Sequence, residues 1–183
     1  PNRGSGPSIV ALGEPMIEFN QARADAPDSF LRGFGGDTSN MAIAAARLTA
    51  GKGRVGYVTR VGDDAFGRML SELWQLEGVD ARGVAVDPAA ATGVYFVSHG
   101  PRGHEFSYLR AGSAASRMTP DALPRDIIAG ASILHVSGIS QAISASGVRP
   151  SSAAFSALIT TTAQAPSEIC DALPAVMVPS LAN

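Results

Sequence analysis

The residues with the clearest chemical potential are Glu14, the glycine-rich run from Gly33 to Asn40, and the group Tyr95, Tyr108 and Arg110. Gly33-Phe34-Gly35-Gly36-Asp37-Thr38-Ser39-Asn40 leads straight into Met41-Ala42-Ile43-Ala44-Ala45-Ala46-Arg47-Leu48, a stretch of strong helix formers. Glycines let a backbone approach a ligand with no side chain in the way. The first turn of a helix adds unpaired N–H groups that suit a hydroxyl oxygen or an anion. Asn40 falls in that first turn, where its carboxamide can donate and accept to a polyol. A tight turn before a helix accounts for the same residues. The spacing excludes a dinucleotide fingerprint, whose second and third glycines lie three apart, and no Lys-Ser or Lys-Thr follows to make a P-loop.

Gly13-Glu14 directly follows the apolar run Ile9 to Leu12, which reads as a buried first strand. The carboxyl ends of parallel strands are where ligands bind, and a carboxylate there can accept from sugar hydroxyls; a solvent-facing turn glutamate is the alternative. Tyr108 and Arg110 share one face of a strand by alternation. An arginine fork flanked by Tyr95 and Tyr108 is a good receptor for a carboxylate with neighbouring hydroxyls. An aromatic pair stiffening a hairpin would use the same tyrosines. Gly62-Asp63-Asp64-Ala65-Phe66-Gly67 reads as structural, with Asp63 or Asp64 capping a helix. His99, His104 and His135 have no second His or carboxylate at metal-ligand spacing and read as surface or satisfied histidines. Cys170 is assigned no role.

The elements that must position these groups alternate. Strands are expected at Ile9 to Leu12, Met16 to Asn20, Arg54 to Val61, Val79 to Val86 and Ile133 to Val136. Helices are expected after Gly36, capped by Asp37, Thr38 or Ser39, over Ala65 to Glu77, and over Thr119 to Ile128. Phe66, Met69, Leu70, Leu73, Trp74 and Leu76 recur at helical spacing as a core-facing stripe. This rhythm predicts a parallel sheet with helices on its faces. Thr92 to Ser98 and Glu105 to Arg110 break it, because only the Gly100–Gly103 turn separates them, so they read as a hairpin projecting from the sheet.

Composition describes a soluble globular chain: 183 residues, 45% hydrophobic, 16% charged, formal net charge −2. No basic run points to nucleic acid, and no apolar stretch has the length of a membrane span. A single cysteine leaves no internal disulfide and suggests a cytoplasmic protein.

In order and spacing, these motifs resemble the phosphofructokinase-B type, or ribokinase-like, carbohydrate kinases. Gly35, Gly36 and Asn40 match the glycine pair before a helix, Gly62 to Gly67 the glycine-acidic helix entry, and Glu77-Gly78-Val79-Asp80 the phrase that ends that helix. Gly13-Glu14-Pro15, Thr92-Gly93-Val94-Tyr95-Phe96, Tyr108 to Ala114 and His135-Val136-Ser137-Gly138-Ile139 are similar to phrases of the 2-keto-3-deoxygluconate kinases. The resemblance implies a three-layer α/β/α sandwich with a small β-sheet lid from about 14–33 and 92–111. It implies ATP- and Mg²⁺-dependent phosphorylation of a sugar acid at the hydroxyl remote from its carboxylate. Gly35, Gly36 and Asn40 would line the sugar site, and Tyr95, Tyr108 and Arg110 would reach down from the lid, with Arg110 at the carboxylate end. A homodimer through the lid is also implied.

The resemblance covers residues from about Ile9 to Ser146. The family's catalytic aspartate lies in a Gly-Ala-Gly-Asp phrase that this sequence lacks, so no catalytic residue is assigned and the chain is not expected to be active alone. From Gly147 the chain is rich in Ser, Thr, Ala and Pro, and 147–183 is expected to be an atypical tail, arising from a reading-frame change or a premature end. A neutral-sugar kinase and a catalytically dead sugar-binding module are the competing expectations.

Overall fold

The computed structural model describes residues 8–23, 25–49 and 53–143. The expected tail at 147–183, with Cys170, lies outside the described residues.

Two four-stranded sheets organise the described residues. The first is parallel, built from β1 (Ile9–Leu12), β4 (Val55–Gly62), β5 (Asp80–Asp87) and β8 (Ile133–Val136) in the order β5-β4-β1-β8. Residue alternation divides its two faces. Ala11, Val55, Tyr57 and Val61 point to one side and pack with Ala42, Ala46, Leu70 and Trp74. Those partners come from α1 (Asp37–Thr49) and α2 (Ala65–Leu76). Val10, Leu12 and Val58 point to the other side, against Ile128 of the short α3 (Arg125–Ala129). Helix, sheet and helix therefore form three layers, with the central strands β1 and β4 buried on both faces as in a covered parallel sheet.

The second sheet joins β2 (Met16–Gln21), β3 (Phe30–Gly35), β6 (Val94–Gly100) and β7 (Gly103–Leu109) in the order β3-β2-β6-β7. Here β6 and β7 are the projecting hairpin, and β2 pairs parallel to β6. Phe19, stacked at 5.3 Å on Phe96 of the neighbouring β6, ties this sheet to the body by meeting Phe66 of α2 edge-on at 5.8 Å.

Several local expectations are corrected. Asp37 is itself the first residue of α1, and Thr38 and Ser39 face inward instead of capping. Thr38 Oγ1 pairs with the Tyr57 hydroxyl at 3.0 Å, and Ser39 Oγ accepts from Trp74 Nε1 at 2.9 Å. In α2, Leu70 and Trp74 are fully buried, but Leu76, the last residue of the helix, is 86% exposed among the described residues. The helix expected over Thr119 to Ile128 is a single turn, Pro120–Ala122, then α3. Pro124 separates them, since it holds Leu123 in the extended region (ψ 138°) and offers no N–H. Strand β8 is outermost among the described strands and only partly buried, with Ile133 57% exposed. His99 and His104 lie opposite each other across the hairpin, Nδ1 to Nδ1 2.7 Å. Among the described residues, no three acidic, histidine or cysteine side chains gather to hold a metal, and no helix is long and apolar enough to cross a membrane.

Candidate functional site

The carboxyl end of β1 runs straight into the second sheet, and the site forms at that corner. The Gly13 carbonyl accepts from the Thr59 hydroxyl at 2.6 Å and the Tyr57 hydroxyl at 3.1 Å, which pins the end of β1 to β4. Glu14 follows, its N–H donating to Ser140 Oγ at 3.1 Å. Ser140 belongs to α4 (Gly138–Ala142), whose start Ser137 caps by accepting from the Ile139 N–H.

Glu14 is not the exposed turn residue its position would allow. It is 2% exposed, with Oε2 3.1 Å from Arg110 Nη1 and Oε1 3.3 Å from Ser113 Oγ. Burial pushes its carboxyl above the usual glutamate range. Arg110 and the Ser113 hydroxyl pull it down, while the charge of Asp37 adds to the rise.

A cleft of about 200 Å³ opens beside this pair, lined by Glu14, Met16, Gly36, Asp37, Tyr95, Phe106, Tyr108, Arg110 and Ile139. Its wall on the second sheet is aromatic. Tyr95 and Tyr108 are directly opposite in β6 and β7 and stack at 5.7 Å, with Phe106 at 6.5 Å from Tyr95. The Arg110 guanidinium lies 5.0 Å from the Tyr108 ring centroid, within cation–π range. The Tyr95 hydroxyl donates to Glu18, and burial together with that carboxylate raises the phenol's pKa.

The glycine pair makes the floor. Gly36 has φ +98°, and a Cβ there would lie 2.4 Å from the Glu14 carbonyl oxygen. At Gly35 a Cβ would meet the Tyr95 ring at 2.5 Å, so the glycine is what lets the aromatic wall close on the turn. Of the residues singled out from sequence, the structure gathers Glu14, Gly36, Tyr95, Tyr108 and Arg110 on one cleft, with Gly35 behind Tyr95. Asn40 is exposed in the first turn of α1 and outside the cleft lining. Its N–H donates to the Gly36 carbonyl at 2.9 Å.

Met16, Asp37, Phe106 and Ile139 line the cleft without having been singled out as site residues. Phe106 was reachable, since it shares the period-two face of Tyr108; Ile139 was not, because its arrival depends on where α4 docks. Asp64 behaves as the helix cap, accepting from the Gly67 N–H at 2.7 Å. It also accepts from the Thr92 N–H at 2.8 Å and hydroxyl at 2.9 Å, which anchors the segment entering β6.

Known proteins resemble this chain in sequence and in fold. The chain is 40% identical over 155 residues to a 2-dehydro-3-deoxygluconokinase of Thermoproteus tenax, covering 81% of this chain and 46% of that protein. It is 38% identical over 147 residues to the probable fructokinase-4 of Arabidopsis thaliana, covering 76% and 43%. Among solved structures, a PfkB protein from Polaromonas sp. JS666 superimposes with TM-score 0.74 at 28% identity, over 86% of this chain and 53% of that one. The 2-dehydro-3-deoxygluconokinase of Thermotoga maritima shares the fold, with TM-score 0.73 at 23% identity over 85% and 47%. The chain spans about half the length of the curated relatives it matches. The architecture is thus the ribokinase-like α/β fold. The family model for pfkB carbohydrate kinases matches residues 7–179, reaching past residue 146. With fold, glycine turn and lid sheet in agreement with that match, the chain belongs to the pfkB family of carbohydrate kinases.

Proposed function

We propose that this chain holds the sugar for an ATP-dependent kinase acting on 2-keto-3-deoxygluconate or a similar sugar acid. The observation that carries the reading is Arg110, a cation set into a cleft between an aromatic wall and a glycine floor. In this reading its guanidinium takes the sugar carboxylate, while Tyr95 and Tyr108 cover the carbon chain. Gly35, Gly36 and Asn40 serve the hydroxyl end, Glu14 stands behind Arg110 as its counter-ion, and the hydroxyl remote from the carboxylate accepts the phosphoryl group. ATP supplies that group, and Mg²⁺ accompanies the nucleotide. Catalysis is not assigned to any residue of the chain. A cytoplasmic setting and a lid-to-lid homodimer complete the proposal. The dimer is supported by the exposed apolar side chains of the second sheet, Leu31, Phe106 and Leu109, each more than half exposed.

A second reading, a neutral hexose such as fructose, is favoured by one observation: Arg110 already faces the Glu14 carboxylate, and Asp37 adds a second acid to the same cleft. The two readings separate by removing Arg110. Glu14→Gln accompanies Arg110→Ala so that no buried charge is stranded. Melting temperature with each sugar, and ADP release in a coupled assay with ATP and Mg²⁺, give the readouts. The sugar-acid reading predicts that 2-keto-3-deoxygluconate raises the melting temperature. Its affinity should fall roughly 10- to 100-fold in the double variant, the worth of a charge-assisted hydrogen-bond pair. Fructose binding that survives the substitution, with no sugar-acid binding beforehand, would establish the second reading instead. A chain that responds to neither sugar would refute both.

A further inference from the structure

Glu14 is the one carboxylate in the cleft that is almost wholly removed from solvent, and its principal charged partner is Arg110, the group proposed to receive the ligand. The contact is enclosed. A Cβ on Gly93 would lie 3.2 Å from Glu14 Oε1 and 3.4 Å from Arg110 Cβ, so a side chain there would crowd the pair. The Arg110 side chain, in contrast, keeps 25% of its surface exposed and reaches the cleft.

Building on the sugar-acid reading, we propose that Glu14 gates the charge of Arg110. Ionised, it holds the guanidinium as an internal counter-ion; protonated, it releases that charge to a ligand carboxylate, so that sugar-acid binding takes up a proton.

The physical reason is a count of charges in a confined place. A ligand carboxylate reaching Arg110 puts two carboxylates beside one guanidinium, and one excess negative charge in a buried site is costly. Burial already opposes the charged form of Glu14, and Asp37 at the start of α1 pushes the same way. Among the other facing groups, burial raises the phenols of Tyr57 on β4 and Tyr95 on β6, so neither brings a charge. Tyr108 lines the cleft from β7. Helix α4 contributes the Ser140 hydroxyl and no titratable side chain. Protonation of Glu14 is therefore the least costly way to admit the anion, and Ser113 Oγ, 3.3 Å away, remains as its hydrogen-bond partner. A neutral sugar needs no such exchange.

The test is calorimetric titration of the full chain with 2-keto-3-deoxygluconate and with fructose at pH 5 and pH 8. Each titration is repeated in buffers of different ionisation heat, so that proton uptake is read directly. The expected result is sugar-acid binding that tightens as pH falls from 8 to 5, by up to about tenfold per pH unit wherever close to one proton is taken up. Fructose should show neither effect, and Glu14→Gln should bind the sugar acid tightly at both pH values with no proton uptake. Sugar-acid binding by the natural chain that is pH-independent and proton-neutral would overturn the gate while leaving the sugar-acid reading in place. Weaker binding by Glu14→Gln at both pH values would overturn it too, because Glu14 would then be an orienting partner only. Absence of any sugar-acid binding would bring down the sugar-acid reading and this inference together.

Discussion

Asp64→Ala should cost about 3 kcal/mol of folding stability, whereas Asp63→Ala, one residue earlier, should cost less than about 0.5 kcal/mol. Three bonds end on the Asp64 carboxylate: Gly67 N–H at 2.7 Å, Thr92 N–H at 2.8 Å and Thr92 Oγ1 at 2.9 Å. The first is a helix cap, worth about 1 kcal/mol. The other two hold the segment that enters β6, and at about 1 kcal/mol each for partly exposed bonds they bring the sum to about 3 kcal/mol. The Asp63 side chain makes an exposed contact with Arg68 at 3.7 Å, and its backbone bond to the Asp87 carbonyl survives the substitution. Urea unfolding followed by fluorescence gives the readout, because Trp74 is the single tryptophan and is fully buried. Burial pulls the Asp64 carboxyl upward, but the bonds from Thr92 and Gly67 outweigh it and hold it below the usual range. A depressed folded value contributes stability above the unfolded pKa and loses it as pH falls through the folded one. The gap between Asp64→Ala and the natural chain should therefore narrow in acid, below about pH 4. Equal midpoints for the two aspartate variants at neutral pH would refute the reasoning.

Two further outcomes follow from the geometry. Gly36→Ala should lower stability by at least about 2 kcal/mol in the same urea experiment, since φ +98° disfavours a side chain and the Cβ would collide with the Glu14 carbonyl. An unchanged midpoint would mean that the corner relaxes without strain. If lids pair between copies, Leu109→Asp on the outer strand of the second sheet should convert a dimer to a monomer in sedimentation at micromolar concentration. A monomeric natural chain would rule the pairing out.

Much of the scaffold was legible because it depends on local rules. Ile9–Leu12, Val55–Gly62 and Ala65–Leu76 follow from apolar runs, alternation and a capping aspartate, which act over a few residues. The hairpin of β6 and β7 follows from a turn too short for a crossover. Pro124, which divides Thr119 to Ile128 into two short pieces, was equally present in the sequence, and its effect on the preceding residue outweighed the helical pattern.

The site was legible in residue types and not in relations. Glycine pairs, two tyrosines and an arginine announce a polar ligand by their chemistry alone. Whether Glu14 meets solvent or Arg110 depends on residues 96 positions apart in sequence, and so on how the second sheet folds back over the end of β1. The same holds for Thr38 and Ser39, which could have capped their own helix but instead satisfy Tyr57 and Trp74 across the core. Local sequence determines which groups a segment offers. Only the tertiary structure decides which are buried and paired, because burial and long-range hydrogen bonds are properties of the packed layers and not of any one segment.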